Sequence, residues 1–307
     1  MNTRPGPTDL KIGITDSGVG GLSVCAAVEA GLRRKPVQAD VEILYLNAAL
    51  RDDYSYNSMA TRQEKLEAFD CFLHNVAANY RPEMLFIACN TLSILFQDPY
   101  FDKHRDIPIE GIVDTATASA AAALREHGDS HIIVFATPTT IAEGTYGRRL
   151  LEAGIPASRI AQQACPDLPD AISNDFTGVQ ARSLLKKFIP AALQQFHEMP
   201  AHVTALLGCT HYGYQAPLFE KLLRAQVDNV SILNPNQAAA LTILDQLESP
   251  PGNGKVDIRF ITPYAIPSKP LRSLSHYLGG PAPATVEAMH QFTCDPDLYQ
   301  PGGHTPG

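Results

Sequence analysis

Six short runs rich in aliphatic and β-branched residues punctuate the first three quarters of the chain: Lys11–Thr15, Val41–Leu46, Met84–Ala88, His131–Ala136, Val203–Leu207 and Val230–Leu233. Longer stretches with helical spacing lie between them. Ser58–Asn79 places Leu66, Phe69, Phe72, Leu73 and Val76 on one helical face, and Tyr212–Ala225 does the same with Pro217, Leu218, Leu222 and Leu223. A proline near a helix start is tolerated, because the first-turn N–H groups have no partner there anyway. Apolar strand, helix, apolar strand is the pattern of βαβ units, whose strands are buried on both faces and joined by helical crossovers. The fold class that follows is α/β, with mostly parallel sheets flanked by helices.

Two segments share one design: a buried strand, a polar turn containing cysteine, then a helix. They are Phe86-Ile-Ala-Cys89-Asn90-Thr91 and Leu206-Leu-Gly208-Cys209-Thr210-His211. About 120 residues separate them, the spacing of equivalent points in two domains of ordinary size. We therefore expect two similar α/β domains with the active site in the cleft between them. Residues 1–112 with 234–280 form the first, carrying Asp16 and Cys89, and residues 113–233 form the second, carrying Cys209. Residues 281–307, rich in Gly and Pro, are expected to be a peripheral tail.

The 307 residues are 45% apolar and 18% charged, which suits a globular chain rather than a disordered one. No apolar run approaches the roughly 20 residues that span a bilayer, and no apolar leader precedes the first strand, so the expected location is cytoplasmic, with no membrane partner. Cysteines 25, 71, 89, 165, 209 and 294 show no CxxC spacing and are expected as thiols. A formal net charge of -8 argues against nucleic acid as a partner. It leaves room for a small anion held by helix N-terminal amides. A homodimer is compatible with the sequence.

A cysteine at the junction of strand and helix meets backbone N–H groups that favour thiolate. Both Cys89 and Cys209 stand at such junctions, at the carboxyl ends of strands where open α/β sheets bind ligands. Ser17, Asn90, Thr91 and Thr210 add short polar side chains suited to a carboxylate. His211 is placed to tune Cys209, and Asp16 to orient or charge-balance the site. Cys25, Cys71 and Cys294 read as packing residues. Gly18-Val-Gly20-Gly21 lacks the full dinucleotide fingerprint. Nothing in the chain calls for a metal or a pyridoxal cofactor: no His/Asp/Cys cluster has zinc spacing and no lysine has a recognisable Schiff-base setting.

Gly13-Ile-Thr-Asp16-Ser17-Gly18-Val-Gly20-Gly21-Leu, Ala88-Cys89-Asn90-Thr91 and Leu207-Gly208-Cys209-Thr210-His211-Tyr212 together resemble the signature segments of glutamate racemases, in the aspartate/glutamate racemase superfamily, over roughly residues 10–280. The resemblance implies cofactor-independent racemisation, with Cys89 acting on the D-enantiomer and Cys209 on the L-enantiomer. Asp16 and His211 would assist the two thiols, while Ser17, Asn90, Thr91 and Thr210 would bind a small acidic amino acid. It also implies a role in peptidoglycan synthesis. Where the family usually has a Pro-Tyr-Gly turn against substrate, this chain reads Arg51-Asp52-Asp53-Tyr54-Ser55-Tyr56-Asn57, so Tyr54 and Ser55 are the nearest substrate contacts. Asp53 would bring a negative charge there, with Arg51 as its partner or as a ligand for the substrate. Gly144 stands where some members place an acidic residue, and Gly213 replaces a proline. Racemisation of glutamate is thus the leading expectation, followed by racemisation of aspartate or another acidic compound, and then by a non-catalytic acidic-ligand binder.

Overall fold

The computed structural model describes residues 10–104, 107–126, 128–247 and 249–299. Among the described residues, ten strands form two wholly parallel sheets. The six-stranded sheet contains β1 (Leu10–Asp16), β2 (Val41–Asn47), β3 (Met84–Ile87), β4 (Ile109–Gly111), β9 (Val256–Thr262) and β10 (Thr293–Cys294), in the order β10-β9-β2-β1-β3-β4. The four-stranded sheet contains β5 (His131–Ala136), β6 (Ile160–Ala164), β7 (His202–Gly208) and β8 (Asn229–Leu233), in the order β6-β5-β7-β8. The six strands read from the sequence are all present. The four that escape it are short, polar or peripheral: β4 and β10 have three and two residues, β6 carries Gln162 and Gln163, and β9 begins with a largely exposed half.

Alternation along the strands distributes side chains between layers. Ile132, Val134 and Ala136 of β5 face one core, while Ile133 and Phe135 face another. The first of these cores also takes Ile12 and Ile14 of β1, Ile43 and Tyr45 of β2, and residues of the helices Leu22–Arg34, Ile112–Glu126 and Pro235–Asp245. These helices therefore lie in one apolar layer shared by the two sheets, which fixes the sheets relative to each other. The outer faces have separate cores, one including Phe69 and Phe72 of the helix Arg62–Asn79, the other including Leu185 and Ile189 of the helix Val179–Leu193. Parallel strands covered on both faces are what continuous apolar runs require.

Local chemistry adjusts the helix boundaries. The helix expected from Ser58 starts at Arg62, because Thr61 adopts an extended conformation and its hydroxyl accepts the Glu64 N–H at 3.1 Å. The helix expected from Tyr212 is a 3₁₀ segment over Thr210–Gln215 followed by an α-helix over Ala216–Leu223, with Pro217 in the first α-helical turn.

The segment after Gly279 departs from the expected peripheral tail up to Tyr299; residues 300–307 lie outside the described residues. Pro283–His290 is a helix whose N-terminus sits on Glu29, a carboxylate only 3% exposed. Glu29 accepts the N–H groups of Ala284 and Thr285 at 3.2 and 2.8 Å and the Thr285 hydroxyl at 2.8 Å. A buried anion at a helix N-terminus is favourable because it meets both free N–H groups and the positive end of the dipole. β10 then pairs with β9, and Leu298 is fully buried.

Candidate active site

Each sheet has a point where the chain reverses direction of strand addition, and ligands gather beyond the carboxyl ends of the strands there. In the six-stranded sheet β1 lies between β2 and β3, and in the four-stranded sheet β5 lies between β6 and β7. Asp16 ends β1, Cys89 follows β3 by two residues, and Cys209 follows β7 directly. Both reversal points open on one cavity of about 320 Å³, lined from the six-stranded sheet by Asp16, Ser17, Cys89, Asn90 and Thr91, and from the four-stranded sheet by Thr137, Gly208, Cys209, Thr210 and His211. The thiols thus reach one space from different sheets.

Cys89 is the N-cap of the helix Asn90–Leu95. Its Sγ lies 3.0 Å from the Ser17 hydroxyl and 3.5 Å from the Leu92 amide. Cys209 is extended, with its Sγ 3.7 Å from His211 Nδ1. Asp16 does not touch either thiol by hydrogen bond; it accepts the Thr210 hydroxyl at 2.8 Å, across the boundary between the sheets. That closeness depends on glycine. A Cβ at Gly20 would lie 2.4 Å from both His211 Nδ1 and Thr210 Oγ1, and one at Gly21 would lie 2.6 Å from Asp16 Cβ. The Gly-rich turn after β1 is therefore a packing device that lets the second sheet's polar residues approach the first, which explains it without a dinucleotide.

Asn90 has a different kind of support. Its Oδ1 accepts the hydroxyl of Tyr146, a residue of the helix Thr145–Glu152 that belongs to the other half of the molecule, and both side chains are buried. Asn90 Nδ2 is left buried with no partner in the protein. A buried donor lining a cavity is costly unless a ligand meets it. The neighbouring hydroxyls are already committed: Thr91 lies 3.1 and 2.9 Å from those of Thr137 and Thr140, and Thr210 spends its proton on Asp16.

Burial overrides the helix-start effect expected for the thiols. Loss of water, and then the charge of Asp16, push the Cys89 thiol up to about 12, against smaller lowering by Ser17 and Leu92. Burial also raises Cys209 well above the ordinary thiol range, with Asp16 and Cys89 adding to it. The few polar contacts each sulfur keeps cannot replace a hydration shell. Burial likewise raises the Asp16 carboxyl to about 7, opposed by Thr210 and the Gly18 and Gly21 amides, and lowers His211 to about 4, so that its imidazole is neutral at physiological pH.

Nine of the ten side chains singled out in the sequence line this cavity; Tyr54 does not. Its hydroxyl donates to Glu64, and the Arg51 guanidinium lies 5.3 Å over its ring. Arg51 pairs with Asp53 at 3.1 Å, both well exposed, and it is Asp52 rather than Asp53 that lines the cavity. The sequence reading missed Asp167 and Asp170, which bring further carboxylates to the cavity wall from the turn after β6 and the helix Leu168–Asn174. Burial and then the charges of Asp167 and Asp52 raise the Asp170 carboxyl. The available signal was their place directly after Cys165-Pro166, where a strand gives way to a helix as it does at Cys89 and Cys209.

Fold and cavity together place the protein among α/β enzymes whose site lies between two parallel sheets. The particular family follows from comparison with known proteins: residues 12–243 match the Asp/Glu/Hydantoin racemase family, and the chain belongs to it. Among curated relatives, the glutamate racemase of Streptococcus sanguinis is 31% identical over 74% of this chain and 76% of that protein. That of Hydrogenobaculum sp. is 27% identical over 82% of this chain and 87% of that protein. Among solved structures, a glutamate racemase isoform from Bacillus anthracis superposes with a TM-score of 0.68 at 24% identity, over 88% of this chain and 94% of that one, and so shares the fold.

Proposed function

We propose that the protein racemises glutamate without a cofactor, using Cys89 and Cys209 as the two proton-transfer groups. The observation that carries this reading is that a cysteine from each sheet end lines one cavity, with the charge of Asp16 felt by both. The relatives' activity agrees with it. We assign residues 10–112 with 234–299 to one domain and 113–233 to the other, and place the enzyme in the cytoplasm. D-Glutamate made there would serve peptidoglycan assembly.

The Cα proton of an amino acid is weakly acidic, so inversion needs a base on one face and an acid on the other. One thiolate removes the proton while the opposite thiol donates its own to the other face, leaving the pair with its charge exchanged. In the free cavity burial opposes thiolate. A substrate ammonium near Asp16 would supply the missing positive charge and bring both sulfurs closer to the working pH. Its carboxylate would take the unpartnered Asn90 Nδ2 donor, where charge builds as the carbanion forms. His211, neutral beside Cys209, holds that sulfur in place.

Aspartate is the second reading, favoured by one observation. Asp52, Asp167 and Asp170 line the cavity, and Arg51, the one Lys or Arg side chain among the lining residues described, is paired with Asp53. A side chain one methylene shorter keeps the distal carboxylate farther from them. Both readings are tested by deuterium incorporation at Cα in heavy water. Glutamate should exchange in the wild type, while interconversion of its two enantiomers should fall by about 100- to 10,000-fold in Cys89→Ser and Cys209→Ser, because a serine hydroxyl is a far poorer acid. Cys71→Ser and Cys294→Ser should stay near wild type. Near-normal turnover in either active-site variant would defeat the two-thiol mechanism, and faster exchange of aspartate would replace the substrate.

A further inference from the structure

The last described residues of the C-terminal segment, up to Tyr299, reach the loop that forms one wall of the cavity. Leu298 and Tyr299 lie in the 3₁₀ turn Pro296–Tyr299, which is fastened to the helix Arg62–Asn79: Asn75 Nδ2 donates to the Leu298 carbonyl at 3.1 Å, Cys71 Sγ lies 3.5 Å from the Tyr299 carbonyl, and the Tyr299 ring packs 5.8 Å from that of Phe72. From this anchored position the Tyr299 hydroxyl donates to the carbonyl of Ala48, one residue past the end of β2. It also lies 3.0 Å from the hydroxyl of Tyr56. A phenol has one proton, and Tyr299 spends it on Ala48, so Tyr56 is the donor in the second bond. The chain Tyr56 to Tyr299 to Ala48 thus ties both ends of one loop to a single oxygen.

That loop matters for the site. Between Ala48 and Tyr56 it contributes Ala49, Arg51, Asp52 and Ser55 to the cavity wall, and Asn57 and Ser58 follow directly. Apart from its anchored start, where the Ala48 N–H donates to the Asp16 carbonyl at 2.7 Å and the Ala49 N–H to the Asn47 side chain at 2.9 Å, its ties are the Tyr54 hydroxyl to Glu64, a turn from the Tyr54 N–H to the Arg51 carbonyl at 3.3 Å, another from Ser58 to Ser55 at 2.9 Å with their hydroxyls 3.5 Å apart, and the exposed Arg51–Asp53 pair. Exposed pairs of this kind hold little. Tyr56, by contrast, is 1% exposed and sits edge-on to Phe69.

We infer that Tyr299 is a positioning residue for substrate binding: through one hydroxyl the C-terminal turn holds the 48–58 loop against the cavity. This deepens the reading of the cavity as the substrate site and rests on it for its kinetic consequence, though not for its structural one. Tyr299→Phe keeps the ring against Phe72 and removes only the tie. In the full chain, amide hydrogen exchange over residues 48–58 should quicken by roughly 5- to 100-fold, the range two lost hydrogen bonds span, with the helix Arg62–Asn79 unchanged. KM for glutamate should rise by a similar factor, with kcat within about twofold. Tyr56→Phe, which loses its own bond to Tyr299 but leaves Ala48 tied, should show smaller increases of roughly 2- to 10-fold, and the double variant should be no worse than Tyr299→Phe, because that variant already breaks the whole chain of bonds. Unchanged loop exchange in both single variants, or faster exchange spread evenly over the molecule, would overturn the inference, as would a fall in kcat at constant KM. If the wild type exchanged the Cα proton of no acidic amino acid, the racemase reading would fail while loop exchange still decided the role of Tyr299.

Discussion

Replacing Asp16 by asparagine should make the protein's stability respond to pH in a way that isolates one proton. Asp16 is 1% exposed, and burial raises its carboxyl from 3.8 to about 7. Below pH 3.8 the carboxyl is protonated in both folded and unfolded chains. Between 3.8 and 7 the folded protein keeps a proton that the unfolded chain has released, so stability falls as pH rises, by about 1.4 kcal/mol per pH unit. Above 7 both states are ionised and the full cost, on the order of 4 kcal/mol, is in force. Asparagine does not titrate. Its amide can still accept the Thr210 hydroxyl but leaves an N–H facing the Gly18 and Gly21 amides, a pH-independent penalty of about 1–3 kcal/mol. From pH 5 to pH 8 the stability of Asp16→Asn relative to wild type should therefore improve by roughly 3 kcal/mol, even as racemisation is lost. Urea unfolding followed by far-ultraviolet circular dichroism suits a chain without tryptophan. A stability difference between the two proteins that is the same at both pH values would refute the buried, proton-holding carboxyl.

Gly20→Ala should push Thr210 and His211 away from the turn after β1, since its Cβ would meet both at 2.4 Å. We expect kcat/KM to fall at least about 10-fold with a stability loss of roughly 1–3 kcal/mol, whereas Gly128→Ala, with nothing within 4 Å, should leave activity unchanged. Equal kinetics in the two variants would remove the packing role assigned to Gly20. Tyr146→Phe frees the Asn90 amide to rotate and should raise KM about 2- to 10-fold. Asn90→Asp, which keeps an acceptor for Tyr146 but places an oxygen where Nδ2 donates, should bind glutamate far more weakly still; tighter binding would show that the donor is not used.

The parallel sheets were legible because strands covered on both faces must be apolar along their whole length, a requirement that needs no knowledge of neighbours. β5 and β7 meet it outright. β6 and β9 do not, since Gln162, Gln163, Asp257 and Arg259 are tolerated there only because of where those strands lie in their sheets. The two cysteine clusters were legible for a similar reason: Cys89-Asn90-Thr91 and Cys209-Thr210-His211 crowd polar groups at strand ends where packing alone has no use for them. What each group does there was not legible. Helix-start amides suggested thiolates, yet desolvation dominates once both cysteines are enclosed, and that enclosure involves residues more than a hundred positions away. The incomplete fingerprint already spoke against a nucleotide loop at Gly18-Val-Gly20-Gly21, but the packing role of Gly20 shows only where Thr210 and His211 lie against it. Tyr54 looked like a substrate contact but turns to Glu64, and a Gly- and Pro-rich ending looked peripheral until Glu29 capped its helix and Tyr299 reached Ala48. The sequence by itself determined periodicity and chemical type, because those are local properties of the chain. Protonation, orientation and the reach of the C-terminal segment were decided by tertiary structure, because each depends on how much water distant residues exclude and which polar atoms they bring within 3 Å.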